Sequence, residues 1–382
     1  MTSLPSILKE ISAISSSGYK ELISSLSERY PLIGFFCPYV PEEMIHAAGA
    51  FPIRLMGTSI KISQAHAHLP LNCCYFVKSS LESLLQGELN LLRGIVFSHS
   101  CDTMQGLADI WSLQKRIPLQ FNLMMPSNLD SELSVEYFRA EMERFKNFLE
   151  SNVGKITLLS LKASIRLFNQ IREKIQRLYM LRRTYPEEIS GADFARLIRA
   201  GYLMDRQLYL ELLNEILKVL SPKTEETESL VPIFLAGNMV HSDSYFSLIE
   251  EAGALIVQDD LCSGSRFLRL KVHEDTDPLE GLTHRYFQRF MCPTKFKGAY
   301  AHMETLLEEV QKSRAKGVIF LLYKYCENHF FDIPDLKKTF ESKGIPTLLL
   351  EVEDPIPSQG QLKIRIQAFL EMLSFSEGGS EL

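Results

Sequence analysis

Eight short runs of this chain are apolar almost from end to end, and no other feature constrains the fold as much. In the first half they are Leu32–Phe36, Phe51–Met56, Gly94–Ser98 and Pro118–Met124. In the second half they are Pro232–Gly237, Ala254–Gln258, Gly317–Tyr323 and Pro346–Val352. A strand with one face in water alternates apolar and polar residues; a strand covered on both faces does not. Stretches with helical spacing separate the runs. Strand, helix and strand in alternation predict parallel sheets covered by helices, an α/β fold.

The two halves are also alike. PEEMIHAAGAFPIRLM (Pro41–Met56) matches FSLIEEAGALIVQD (Phe246–Asp259) as a helix, a small-residue turn with Gly, and a strand. RGIVFSHSCD (Arg93–Asp102) matches KGVIFLLYKYCEN (Lys316–Asn328): Gly opens a strand, a Cys follows it, and an acidic residue comes next. These matches predict two similar α/β domains, with chance likeness between generic strand–helix units as the alternative. The expected organisation is an N-terminal helical segment over 1–30, a first α/β domain over 31–133, a helical connector over 134–228 and a second α/β domain over 229–382. The connector has helical spacing and no strand candidates. Tyr185-Pro186 breaks it, and Ser190-Gly191-Ala192-Asp193 restarts it. Residues 221–228 read as a solvated linker, and Ser374–Leu382 as a frayed tail.

Composition narrows the function. The formal net charge is -6, from 41 basic and 47 acidic residues. That balance argues against a nucleic-acid footprint or a basic membrane patch. No apolar run approaches the ~18 residues of a membrane helix, and the N-terminus lacks the pattern of a signal peptide. The expected compartment is the cytoplasm, where thiols stay reduced. The 7 cysteines are Cys37, Cys73, Cys74, Cys101, Cys262, Cys292 and Cys326. An odd count in a reducing compartment reads as core thiols, metal ligands or a nucleophile, not as a disulfide framework.

Position favours ligands. Cys101 and Cys326 lie just past equivalent strands of the two halves, where open parallel sheets bind ligands. Cys74 precedes a helical run, and a thiol at a helix N-terminus is a competent thiolate. Three thiolates converging between domains could hold an iron–sulfur cluster and leave one iron open. For any single cysteine the inert buried thiol is the commoner case. Structural zinc is the rival metal, but the close CxxC pair it favours is absent. There is no GxGxxG opening a helix, no GxxxxGK[ST], no GxSxG and no HExxH. His99 and His329 flank the two thiols and could serve as proton donors or as structural hydrogen-bonders. Asp102 and Asp259-Asp260 read as helix caps. Arg266, Arg269 and Lys271 form either an anion-binding cluster or a solvated face.

Taken together, VPEEMIHAAGAFPIRL (Val40–Leu55), CYFVKSSL (Cys74–Leu81), HSCD (His99–Asp102), GALIVQDDLCSGSR (Gly253–Arg266) and KYCENH (Lys324–His329) resemble the 2-hydroxyacyl-CoA dehydratase and benzoyl-CoA reductase family. The likeness runs from about Cys37 to about Asp354. It implies two flavodoxin-like domains with added helices and a [4Fe–4S] cluster between them, ligated by Cys74, Cys101 and Cys326. The fourth iron is free of cysteine and meets the substrate thioester. The implied chemistry is one-electron: a ketyl radical on the acyl-CoA acidifies the β-proton and lets hydroxide leave, or an aromatic ring is reduced. The implied partners are a related second subunit and a separate ATP-hydrolysing iron–sulfur activator, which fits the absence of a nucleotide motif here. One departure is Lys78, where the family often has Arg; another is Cys73 beside the ligand position. No catalytic base is carried over.

Two further readings stand beside this one. A relative in the family holds a double-cubane [8Fe–9S] cluster in a homodimer and reduces small molecules; Cys37, Cys262 and Cys292 could supply its extra ligands. The other reading is a non-catalytic α/β binding or assembly protein whose thiols are structural.

Overall fold

The computed structural model describes residues 3–16, 18–184, 188–220, 230–289, 292–298, 301–356 and 358–378. All eight apolar runs are strands. Helices α1 (Leu4–Ser16) and α2 (Tyr19–Ser27) precede β1 (Leu32–Phe35), α3 (Glu42–Ala47), β2 (Phe51–Arg54), α4 (Tyr75–Leu85), β3 (Gly94–Ser98), α5 (Asp102–Gln114) and β4 (Leu119–Leu123). The middle of the chain forms α6 (Leu133–Asn152), α7 (Leu158–Thr184), α8 (Gly191–Leu203) and α9 (Arg206–Val219). The second half is β5 (Val231–Gly237), α10 (Ser244–Glu251), β6 (Ala254–Asp260), α11 (Ser265–Leu268), α12 (Pro278–Gln288), α13 (Ala301–Ser313), β7 (Gly317–Tyr323), α14 (Glu327–Glu341), β8 (Thr347–Val352) and α15 (Gln359–Gly378).

The two sheets repeat one topology. Their strand orders are β2-β1-β3-β4 and β6-β5-β7-β8, and every pairing is parallel. This is the flavodoxin-like order without its fifth strand. Burial explains the missing alternation: β1, β2, β3 and β7 are buried at every residue. The duplication extends to the turns. Gly49 ends α3 with φ 80° and Gly253 ends α10 with φ 107°, a left-handed conformation that glycine adopts without strain. The main core joins Ile7, Ile11 and Ile23 of the N-terminal helices to the first sheet and to Phe138, Ile165, Leu197 and Leu213 of α6–α9. The second sheet has a separate apolar cluster on each face.

The helical middle restarts where its composition predicts: the Ser190 hydroxyl accepts the Asp193 amide at 3.0 Å and caps α8. Tyr185-Pro186 and residues 221–228 lie outside the described residues. As far as Gly378 the tail departs from expectation, since α15 stays helical there; residues 379–382 lie outside the described residues. Ile366, Phe369, Leu370 and Leu373 pack it onto the second sheet, and that burial carries the helix onward.

Close strand approach makes one glycine irreplaceable. A Cβ on Gly237 would lie 2.1 Å from the Leu321 carbonyl oxygen of the neighbouring β7. Gly237→Ala must therefore separate the two central strands. The expected loss is about 2 kcal/mol or more in urea unfolding; a loss below about 0.5 kcal/mol, the range of neutral surface changes, would show that the strands yield freely.

Candidate functional site

In sheets of this order the strand connections diverge between the first and third strands, and that crevice is where ligands bind. Cys37 and Cys101 follow β1 and β3 in the first sheet; Asn238 and Cys326 follow β5 and β7 in the second. All four residues line one cavity of about 100 Å³. Two switch points thus face each other across a single cavity. By the same measure one water needs about 10–15 Å³, so the cavity has room for a group of several atoms.

Six of the cysteines line this cavity: Cys37, Cys74, Cys101, Cys262, Cys292 and Cys326. All are free thiols. Cys73 is buried behind its neighbour, with its sulfur 3.8 Å from the Cys74 carbonyl oxygen. Of the adjacent pair, Cys74 is the one that faces the cavity. Cys74, Cys101 and Cys326 share a local design. Each is the residue that caps a helix, α4, α5 and α14 respectively, and in none does a side-chain hydrogen bond close the cap. In each, the amide three residues on (Val77, Met104, His329) acts on the thiol to favour the thiolate.

Burial opposes that. It raises Cys101, with help from neighbouring Cys37, Cys74 and Cys326, and pushes Cys326 up to about 12. Cys262 is pushed up to about 11 by burial, against the pull of Arg266. The hydrogen-bonded Cys73 thiol, together with burial, holds Cys74 well up. These thiols are therefore protonated near neutrality, and a metal must displace those protons to bind.

Cationic and polar side chains surround the sulfurs. Arg266 is buried; its Nη2 donates to Asp260 Oδ2 at 2.6 Å, and its Nη1 donates to Cys262 Sγ at 3.1 Å and His329 Nε2 at 3.2 Å. Lys295 is buried beside Cys292, Cys37 and Cys101 and donates to the Met125 carbonyl at 2.9 Å. Cys37 sits 3.3 Å from Ser100 Oγ, and Cys292 3.1 Å from Thr294 Oγ1. Among the described residues no three His, Cys, Asp or Glu side chains converge on one ion position. A mononuclear site such as structural zinc is therefore not preformed. The donor set suits a larger thiolate-bound group: soft, reduced sulfurs, spread around one cavity, with the positive charge of Arg266 and Lys295 beside them.

The remaining sequence candidates separate in space. His329 lines the cavity; His99 is not among its lining residues. Asp102 is not the cap it was expected to be: it is the first residue of α5, and Cys101 takes the capping position. Gly264 likewise takes the capping position of α11, while the Asp259 carboxylate accepts the Ser265 amide at 2.8 Å from outside the helix. Asp260 instead pairs with Arg266 and Arg269. The basic trio splits two to one: Arg266 and Arg269 share the Asp260 carboxylate, with Arg266 lining the cavity, while Lys271 pairs with Glu173 on the surface. Lys78 donates to the Leu71 carbonyl at 2.7 Å and lies over the Tyr325 ring, and it is not among the residues lining the cavity. Sequence reasoning did not find Asn238, Arg289, Tyr39 or Lys295. For Asn238 a signal existed, a polar residue directly after a predicted strand; the others depend on tertiary packing.

These features define a duplicated α/β protein with a thiol-lined cavity between paired switch points. Over residues 37–373 the chain matches the family described as 2-hydroxyglutaryl-CoA dehydratase, D-component, and it belongs to that family. It is an enzyme subunit of that type. It is 28% identical over 345 residues to the (R)-phenyllactyl-CoA dehydratase beta subunit of Clostridium sporogenes, covering 89% of this chain and 91% of that protein. It is 26% identical over 344 residues to lactoyl-CoA dehydratase subunit beta of Anaerotignum propionicum, with 89% and 91% covered. It is 27% identical over 350 residues to a benzoyl-CoA reductase subunit of Thauera aromatica, with 88% and 89% covered.

Proposed function

We propose that this chain is the iron–sulfur subunit of a 2-hydroxyacyl-CoA dehydratase or benzoyl-CoA reductase type enzyme, with Cys74, Cys101 and Cys326 holding a [4Fe–4S] cluster. The observation that carries this reading is the convergence of three helix-capping thiols, from both sheets, on one cavity. Such a cluster supplies single electrons and an open iron position to an acyl-CoA thioester. The chain's own residues do the rest. Asp260 anchors Arg266 and keeps its positive charge beside the sulfurs. Phe76, Val77, Met104 and Met239 line the cavity and keep water out. Lys295 offsets thiolate charge beside Cys292, Cys37 and Cys101.

Each of these relatives is named as one subunit of its enzyme, which supports a second, related subunit as partner. A separate ATP-dependent iron–sulfur activator would deliver the electron. No described helix is long and apolar enough to cross a membrane, and a cytoplasmic enzyme is the proposal.

A second reading is favoured by one observation: Cys37, Cys262 and Cys292 line the same cavity as the other three. Six thiols around one space fit a double-cubane [8Fe–9S] cluster, in a homodimer that reduces small molecules.

The activity test uses the anaerobic chain with its related subunit, the activator and ATP. By mass spectrometry a 2-hydroxyacyl-CoA should lose one water, or, in the reductase branch, benzoyl-CoA should gain two hydrogens. Turnover of neither substrate class by a cluster-loaded complex would count against the acyl-CoA reading and favour the small-molecule reductase.

A further inference from the structure

The arrangement of His329 carries an inference beyond ligand identity, one that rests on the iron–sulfur reading above. We propose that His329 is a positioning residue: locked by Arg266 in the Nδ1–H tautomer, it donates that hydrogen to the Cys326 sulfur and so distinguishes this ligand from the other two.

The tautomer follows from the neighbours. A guanidinium has five N–H donors and no acceptor. Arg266 Nη1 lies 3.2 Å from His329 Nε2, so Nε2 accepts and carries no hydrogen. The ring's remaining hydrogen is then on Nδ1, which lies 3.3 Å from Cys326 Sγ. An imidazolium would set two N–H donors against each other at Nε2. Arg266 cannot turn away. Its Nη2 is held by the Asp260 carboxylate at 2.6 Å, the Asp260 carbonyl at 3.0 Å and the Gly237 carbonyl at 3.1 Å.

The consequence is asymmetry. Cys326 Sγ has the Nδ1 of the His329 imidazole at 3.3 Å. Among the described residues no imidazole is hydrogen-bonded to the sulfur of Cys74 or Cys101, and neither makes a side-chain cap. Arg266 donates from the same Nη1 to Cys262, so one fixed cation reaches a thiol of each set of three, directly at Cys262 and through the ring at Cys326. A hydrogen bond to a ligand sulfur withdraws electron density and raises the reduction potential of what that sulfur binds. His329 has both ring nitrogens engaged, which removes it as a proton donor to substrate.

Two measurements test this. In the metal-free full chain with ¹⁵N-labelled histidine, the His329 ring should show a hydrogen on Nδ1 and a bare Nε2, assigned by its disappearance in His329→Asn. A hydrogen on Nε2 would overturn the proposal whether or not the protein binds iron. In the reconstituted full chain, His329→Phe should lower the reduced-to-oxidised ratio at a fixed potential about tenfold, equivalent to about 59 mV for one electron. His329→Asn, which keeps an N–H donor near the δ position, should recover most of that shift. An unchanged potential in His329→Phe with iron still bound would sink the inference and leave the proposed function standing. A wild-type chain that takes up no iron would sink the proposed function, and the tautomer would still decide this one.

Discussion

Cys101→Ser is expected to fold as the parent does and to lose more than about nine-tenths of the iron the parent binds, since one thiolate in three is replaced by a hard, protonated hydroxyl. Cys74→Ser and Cys326→Ser should behave alike, because all three thiols cap helices around the same cavity. Cys73→Ala should keep its iron, because the Cys73 side chain is buried outside the cavity lining. Iron per chain and thermal unfolding of the same samples check both halves of the prediction. Serine variants that retain full iron, or that merely unfold a few degrees early with small and independent effects, would assign the thiols a structural role.

The largest stability effect is expected outside the cavity lining. Glu43 on α3 is fully buried, paired with Arg172 of α7, and accepts the Tyr286 hydroxyl of α12 at 2.8 Å. Its neighbour Glu42 pairs with buried Arg206 of α9 at 3.2 Å. Burial alone would raise the Glu43 carboxyl, but Arg172 and Arg285 hold it down at about 2, against an ordinary 4.5. Removing one partner strands a buried charge. Glu43→Ala and Arg172→Met should each cost about 3–5 kcal/mol in urea unfolding, while the double variant should recover much of that loss. A single-variant loss below about 1 kcal/mol would contradict the picture. The same pair sets an acid limit. The unfolded carboxyl takes up its proton first as pH falls, so the contribution of Glu43 is complete above about pH 4.5 and drains away toward about pH 2. The amount at stake is about 3 kcal/mol, and it should vanish from the pH–stability curve of the double variant.

These two sites show what a linear sequence displays and what it conceals. The strands were legible because parallel sheets covered on both faces demand apolar runs, and the repeat was legible because both halves solve the same packing problem. Gly49 and Gly253 stand at the same turn for that reason. The thiols were legible because a cysteine directly after a strand or directly before a helix has a predictable address in such a sheet. Cys37, Cys262 and Cys292 were readable as strand-end or pre-proline positions, but only packing brings them to the same space as the other three. Charges were the least legible. Glu42 and Glu43 look like the solvated face of a helix, and nothing local announces that Arg172 and Arg206, more than a hundred residues on, will bury them. Arg266, Arg269 and Lys271 look like one basic patch, yet buried Asp260 takes the first two and Glu173 on the surface takes the third. The shift in register between Ile233 and Phe234, where β5 meets β6, has no local signature either.

The most direct test of the account is iron and acid-labile sulfide per chain after strictly anaerobic purification. A [4Fe–4S] site at Cys74, Cys101 and Cys326 predicts about four of each, with a brown colour lost in air. About eight iron per chain would shift the assignment to all six cavity thiols and the double-cubane reading. No iron after anaerobic purification and reconstitution would contradict the central claim and leave a protein that shares the family's fold with thiols that only pack.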